Sequence, residues 1–173
     1  MNFQEFGNIA MALRTYYPRE KLFPNEQAVM LWYEQLSDLD YRATEAAIKS
    51  WIATNKWSPS IAEIRELTMD ATFGVIKDWG QAWEETRAAV RRYGRYNPEA
   101  ALESLDELTR EAVKRVGFYD LCASENHAAD RANFKIIYEQ LANRRRMDRQ
   151  TPMAVRQRLE QIQKTAIGEN DEI

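Results

Sequence analysis

One cysteine and one histidine are all that this 173-residue chain holds of the two most versatile metal ligands. Cys122 alone excludes an intrachain disulfide and any cysteine-based zinc site. His127 has no second histidine at helical spacing, so only carboxylates would remain to hold a metal. Cys122 and His127 lie five residues apart but lack the third, orienting group that an activated nucleophile needs. Glycine is scarce as well. The six glycines do not cluster into a phosphate cradle, and neither G-x-x-x-x-G-K-[ST] nor G-x-S-x-G is present. No catalytic residue, metal or cofactor is therefore expected, and the chain does not read as an enzyme. Nothing approaches the run of about 18 apolar residues that a membrane span requires. The opening Met1-Asn2-Phe3-Gln4-Glu5 lacks the positive start and apolar stretch of a signal peptide. The expected location is cytoplasmic, with no membrane partner.

What the chain does hold is large apolar side chains and charge. Apolar residues make up 45%, with 5 Trp, 8 Tyr and 6 Phe, enough for a real core. A charged fraction of 29% and a mean hydropathy of -0.64 imply wet outer faces. The net charge of -3 hides an uneven distribution. Residues 1–72 carry seven basic side chains against ten acidic ones, whereas residues 131–164 carry nine against three. An acidic front and a basic rear suggest different partners for the two ends, although a charge run is often only a solvated face.

Helical periodicity runs through the chain, and no stretch alternates at period two for long enough to form a strand. Phe6, Ile9, Ala10, Leu13 and Tyr17 mark a first helix over about 2–17, stopped by Pro18. Asn25 suits the N-cap of a second, with Val29, Trp32, Tyr33 and Leu36 on its apolar face. Asp38 or Asp40 caps a third, carrying Thr44, Ile48, Trp51 and Ile52. Ser60 and Glu63 form an S-x-x-E capping box that launches a fourth helix to about Ala71. These four helices predict an N-terminal bundle over 1–72. Beyond a hinge at Thr72-Phe73-Gly74, the spacing predicts a C-terminal helical domain of five or six helices over 73–165. Its first helix has a heptad-like seam of Ile76, Trp79, Trp83, Thr86, Val90 and Tyr93. That seam could serve a dimer, but a single helix with two Trp more often packs within its own chain. Asn97-Pro98 and Asp106 open two further helices, Gly117 ends the second, and Phe118, Leu121 and Cys122 form a brief turn. A long helix is predicted from about Asn126 to Arg149, with Phe134, Ile137, Tyr138 and Leu141 inward. Thr151-Pro152 then reads as N-cap and N1 of a final helix striped by Val155, Leu159 and Ile162. Residues 166–173 read as a disordered polar tail. The fold class is all-α.

Two features carry functional interest. Arg144, Arg145, Arg146 and Arg149 precede the final amphipathic helix; arginine forks suit phosphate or carboxylate, and an apolar stripe suits a partner's groove. The bland alternative is a helix that caps its own domain. The second feature is Arg91-Arg92-Tyr93-Gly94-Arg95-Tyr96, where basic and aromatic residues interleave as they do in single-strand-binding sites. A helix C-terminus with cations matched to its dipole is the more ordinary reading.

The corner Trp57-Ser58-Pro59-Ser60-Ile61-Ala62-Glu63-Ile64-Arg65 does not stand alone. Together with the Trp32-Tyr33 helix, Leu36-x-Asp38-Leu39 and Ala46-Ala47-Ile48, it resembles the replicative helicase loader and inhibitor proteins of bacteriophages and prophages of Gram-positive bacteria. The resemblance is clearest over residues 3–70. Trp83, Arg92 to Tyr96, Gly117 and Phe134-x-x-x-Tyr138 look like the second half of longer relatives. The resemblance implies a non-enzymatic adaptor in the cytoplasm of a bacterial host. Such a protein binds a hexameric DnaB-type helicase, restrains its ATPase and helps deliver it to an origin initiator or single-strand-binding protein. On that reading Tyr138, Leu141, Arg144, Arg145, Val155, Leu159 and Ile162 are expected to bind the helicase. Arg91, Arg92, Arg95, Tyr96, Arg146 and Arg149 are the candidates for nucleic-acid contact, with direct DNA binding expected to be weak or absent. The rival readings are a helical DNA-binding phage protein (a replication organiser, initiator or small terminase subunit) and an adaptor inhibiting another host protein. The helix after Ser60 suits DNA poorly, because Glu63, Glu66 and Asp70 face phosphates with only Arg65 to offset them.

Overall fold

Capping side chains divide this chain into helices almost wherever its sequence punctuates it. The computed structural model describes residues 1–168. They form ten α-helices and a short 3-10 turn at Pro18–Glu20, with no strand among them. In the first part these are α1 (Phe3–Tyr16), α2 (Glu26–Leu36), α3 (Tyr41–Thr54) and α4 (Ile61–Phe73). The later part holds α5 (Trp79–Tyr93), α6 (Pro98–Glu103), α7 (Glu107–Val116), α8 (Phe118–Ala123), α9 (His127–Gln150) and α10 (Met153–Gly168). The all-α expectation, with four helices and then six, holds. Residues 166–168, expected to belong to a disordered tail, are part of α10, which continues to Gly168. The rest of that tail, 169–173, lies outside the described residues.

Contacts gather the chain into two compact units. One comprises Met1–Val75 together with the segment that begins at Met147, and the other is Ile76–Arg146. Sequence periodicity instead joins the final helix to the residues before it as a single domain over 73–165. The structure groups α10 with the first unit, for a reason that lies in Arg65 and Asp38, described below.

In the first unit the inward faces of α1 to α4 meet over Phe6, Ile9, Leu13, Leu36, Leu39, Ile48 and Ile64. Edge-to-face pairs lock the rings. Phe6 and Phe23 lie 6.1 Å apart at 89°, and Phe23 and Trp32 lie 5.0 Å apart at 73°. Phe23 holds this place at φ 55°, a left-handed backbone conformation that a bulky residue adopts only when packing over-determines it. The Trp57–Arg65 corner is built as its letters suggest. Ser60 Oγ accepts from the Glu63 amide, and Glu63 Oε2 accepts from the Ser60 amide at 2.7 Å. Trp51 Nε1 donates to the Trp57 carbonyl at 2.8 Å, which ties the corner back to α3.

The second unit buries Trp83, Leu105, Val113, Phe118, Phe134, Tyr138 and Leu141 among small alanines. Phe134 stacks on Tyr138 with centroids 5.6 Å apart and tilts against Trp83 at 5.3 Å. The seam of α5 faces this core, with Trp83 and Thr86 buried and Trp79, Val90 and Tyr93 packed at its margin. It is occupied within its own unit. Asp78 caps α5, so Ile76 precedes the helix and does not open it. Polar groups close one side of the unit: Lys77 Nζ meets Glu85 at 2.7 Å and Asp106 at 3.1 Å, and Tyr138 Oη donates to the Lys77 carbonyl.

Candidate functional site

Arg65 is the buried cation of this protein's first unit, with a side chain only 3% exposed. Its place follows from the capping box, which sets the phase of α4 so that Ile64 and Arg65 both turn inward. A guanidinium in that position must have every fork of its donors satisfied. NH1 and NH2 reach the two oxygens of Asp38 at 2.6 and 2.9 Å, a bidentate pair. NH1 also donates to the Gln35 carbonyl at 2.6 Å, and Nε donates to the carbonyl of Gln150, the last residue of α9.

Asp38 completes a second connection. Its Oδ2 accepts from the Met153 amide at 3.1 Å, so a carboxylate from the α2–α3 link caps the first turn of α10. The sequence offers Asp38 and Asp40 as alternatives for capping α3. The structure separates their tasks: Asp40 Oδ1 takes the Ala43 amide, while Asp38 serves Arg65 and α10. Thr151 does not cap α10 as expected, because its hydroxyl turns back to the Met147 carbonyl at 2.8 Å. Burial pushes the Asp38 pKa up, but the Arg65 hydrogen bonds, the Met153 amide and the guanidinium charge outweigh it. The carboxyl is held below its usual range. Arg149 adds to this clasp, its guanidinium 5.3 Å from the Phe73 ring and donating to the Gly74 carbonyl.

Held at its N-terminus, α10 leaves its apolar stripe in solvent. Val155, Leu159 and Ile162 are 38, 51 and 56% exposed, and Met153 beside them is 60% exposed. Arg156 and Arg158 stand on the same helix, so a basic amphipathic surface extends from the clasp.

The remaining helicase-contact expectations divide. Tyr138 and Leu141 are 2 and 5% exposed and belong to the core of the second unit, so they are not surface residues. Their helical spacing marks an apolar face, and here that face is covered by its own unit. Arg144 is exposed, and Arg145 pairs with Glu107 at 3.0 Å. Among the nucleic-acid candidates, Arg91 and Arg92 lie exposed in the last turn of α5, and Arg95 and Tyr96 lie exposed just past its end. Arg146 is exposed and its guanidinium meets Asn143, whereas Arg149 is engaged by Phe73 and Gly74. The buried side of α4 holds Arg65, so that helix presents no free cation for a phosphate. Burial pushes the Cys122 thiol up, with the Arg95 charge opposing. His127 Nδ1 lies 3.9 Å from Asp130 Oδ2. Among the described residues no group of three or more His, Cys, Asp or Glu side chains could hold a metal ion, and no helix is long and apolar enough to cross a membrane.

Sequence reasoning missed the clasp. Arg65 reads there as a lone cation among acids and Asp38 as an ordinary cap. The signal available was Arg65 directly after Ile64, which places a charge on the inner edge of an apolar stripe and requires a buried partner.

Residues 1–65 match the family model for the N-terminal domain of the helicase loader of phage SPP1. The matched segment ends on Arg65 and contains its partner Asp38. The match covers 65 of the 173 residues and is to the N-terminal domain of that family alone. No curated protein and no solved structure matches the chain.

Proposed function

We propose that this protein is a non-enzymatic loader and inhibitor of a hexameric, DnaB-type replicative helicase. It binds the helicase through the exposed stripe of α10, restrains the ATPase, and helps deliver the hexamer to the origin. The observation that carries this reading is the pairing of a matched N-terminal domain with a helix that it caps yet leaves apolar side outward. Such a helix suits the groove recognition used by amphipathic segments, which anchor through residues at i, i+4 and i+7. Val155, Leu159 and Ile162 have that spacing. The flanking Arg156 and Arg158 favour a groove with an acidic rim. Arg144 extends the basic surface, while Tyr138 and Leu141 contribute by building the second unit. The acidic faces of α1 to α4 are left for an initiator or single-strand-binding protein.

Size-exclusion chromatography of the protein with a hexameric replicative helicase, followed by an ATPase assay, tests the proposal. Wild-type protein is expected to co-elute and to lower ATP turnover. Leu159→Asp, and separately truncation after Gln150, are expected to abolish both effects while leaving the helical circular dichroism of residues 1–146 in place. Unchanged co-elution of those variants would overturn the assignment to α10. No complex across several salt and nucleotide conditions would overturn the loader reading itself.

A further inference from the structure

We propose that the end of α5 is a small site for single-stranded nucleic acid, with Tyr96 as the stacking platform and Arg92 and Arg95 as the phosphate contacts. The inference is independent of the helicase reading and needs no helicase to test.

Gly94 ends α5 at φ 58°, a conformation that suits glycine, and its amide closes the helix on the Val90 carbonyl at 3.0 Å. The chain then turns through Arg95 and Tyr96 before α6 begins. Tyr96 is 91% exposed, so its ring is open to solvent with the Arg95 guanidinium near it. The Arg95 guanidinium lies 5.8 Å from the Tyr96 centroid, and that of Arg92 lies 5.3 Å from Tyr93. Neither arginine forms an ion pair among the described residues, and both are exposed. Arg91 is a weaker member, because it lines a small cleft with the Asp130 carboxylate. A helix C-terminus alone explains cations at Arg91 and Arg92, which lie in its last turn. It does not explain Arg95 or a bare aromatic ring past the end of the helix.

The chemistry of this pair selects the ligand. A ring held beside an arginine fork offers a base a stacking face and offers the adjoining phosphate a bidentate donor. Bases in a duplex are stacked on one another and cannot reach such a ring, so the site should discriminate for single strands. An acidic peptide would use the arginines but not the ring.

The test is a titration of the isotopically labelled full chain, followed by amide NMR shifts at low salt, with three probes: a mixed-sequence DNA strand of about ten nucleotides, the same strand as duplex, and inorganic polyphosphate. The single strand is expected to move the amides of residues 91–97 and to bind better than either other probe. Two phosphate contacts give a slope of about -1.4 in log K against log salt, or about a sevenfold loss between 50 and 200 mM. Tyr96→Ala is expected to weaken binding about tenfold, within the range for loss of one base–aromatic stack, without changing that slope. Tyr96→Phe should bind as wild type, and Arg92→Ala with Arg95→Ala should flatten the salt dependence. Equal binding of duplex or polyphosphate, an unaffected Tyr96→Ala variant, or no shift at residues 91–97 would each overturn the proposal.

Discussion

Replacing Asp38 by Ala should detach the α9–α10 corner from the first unit and remove a large share of that unit's stability. The magnitude follows from what Arg65 would be left with. Of its four hydrogen bonds, two go to Asp38 and two to the Gln35 and Gln150 carbonyls. Losing the carboxylate strands a cation whose side chain is 3% exposed, and breaking such a buried pair from one side costs about 3–5 kcal/mol. Asp38 is itself 20% exposed, so water can enter and the lower end of that range applies. Losing the cap on the Met153 amide adds about 1 kcal/mol at most, since the first turn of α10 is solvated. The expected cost is about 3–4 kcal/mol, against a total of about 5–15 kcal/mol for a typical domain. Urea unfolding followed by circular dichroism reads the total, and hydrogen exchange at the Met153–Arg158 amides reads the local release.

The double variant supplies the refutation. Arg65→Met alone leaves two carbonyls without donors, at about 1–3 kcal/mol each where they stay dry. Combined with Asp38→Ala it removes the stranded charge, so the pair should cost at least about 2 kcal/mol less than the sum of the single effects. Additive costs, or an Asp38→Ala cost below about 1 kcal/mol with α10 exchange unchanged, would mean that the clasp does not hold α10.

Two further outcomes follow from the same packing and charge arguments. Asp38 and Asp106 both have carboxyls held below their usual range: in each, burial pushes upward but is outweighed, by Arg65 and the Met153 amide for Asp38 and by Thr109 and Lys77 for Asp106. A depressed folded-state pKa stabilises above the unfolded value of about 4 and loses that contribution as pH falls through the folded value. Stability should therefore be flat from neutral pH to about pH 5 and fall below about pH 4, and Asp38→Asn should make the fall shallower in an acid titration. In the second unit, Phe134→Ala removes a fully buried ring that meets both Trp83 and Tyr138. It should cost about 3–5 kcal/mol, read as faster hydrogen exchange in α5, α7 and α9.

Where one residue type settles local geometry by itself, this fold is legible in its letters. Pro18, Asn25, Ser60 with Glu63, Gly94, Asp106 and Gly117 each bound a helix where the sequence places a boundary, because capping and left-handed turns are short-range effects. The stripe of α5 also reads correctly as an inward face. Legibility ends where a residue's partner is distant in sequence. Asp38 sits two residues from a proper helix cap and looks like a competitor for it, yet its partners are 27 and 115 residues away. The same limit explains Tyr138 and Leu141: periodicity says that a face is apolar, not whether its own chain already covers it. Only α10 separates the two cases, since its stripe has the same spacing as the buried faces and no covering among the described residues. The charge pattern therefore misleads about where the first unit ends. Basic residues after 131 look like one segment, but the links of Arg65 to Gln150, Asp38 to Met153 and Arg149 to Gly74 join the last helix to the acidic bundle at the front of the chain. The exposed stripe of α10 therefore owes its position to Arg65, which lies in the core of the first unit and not on that stripe.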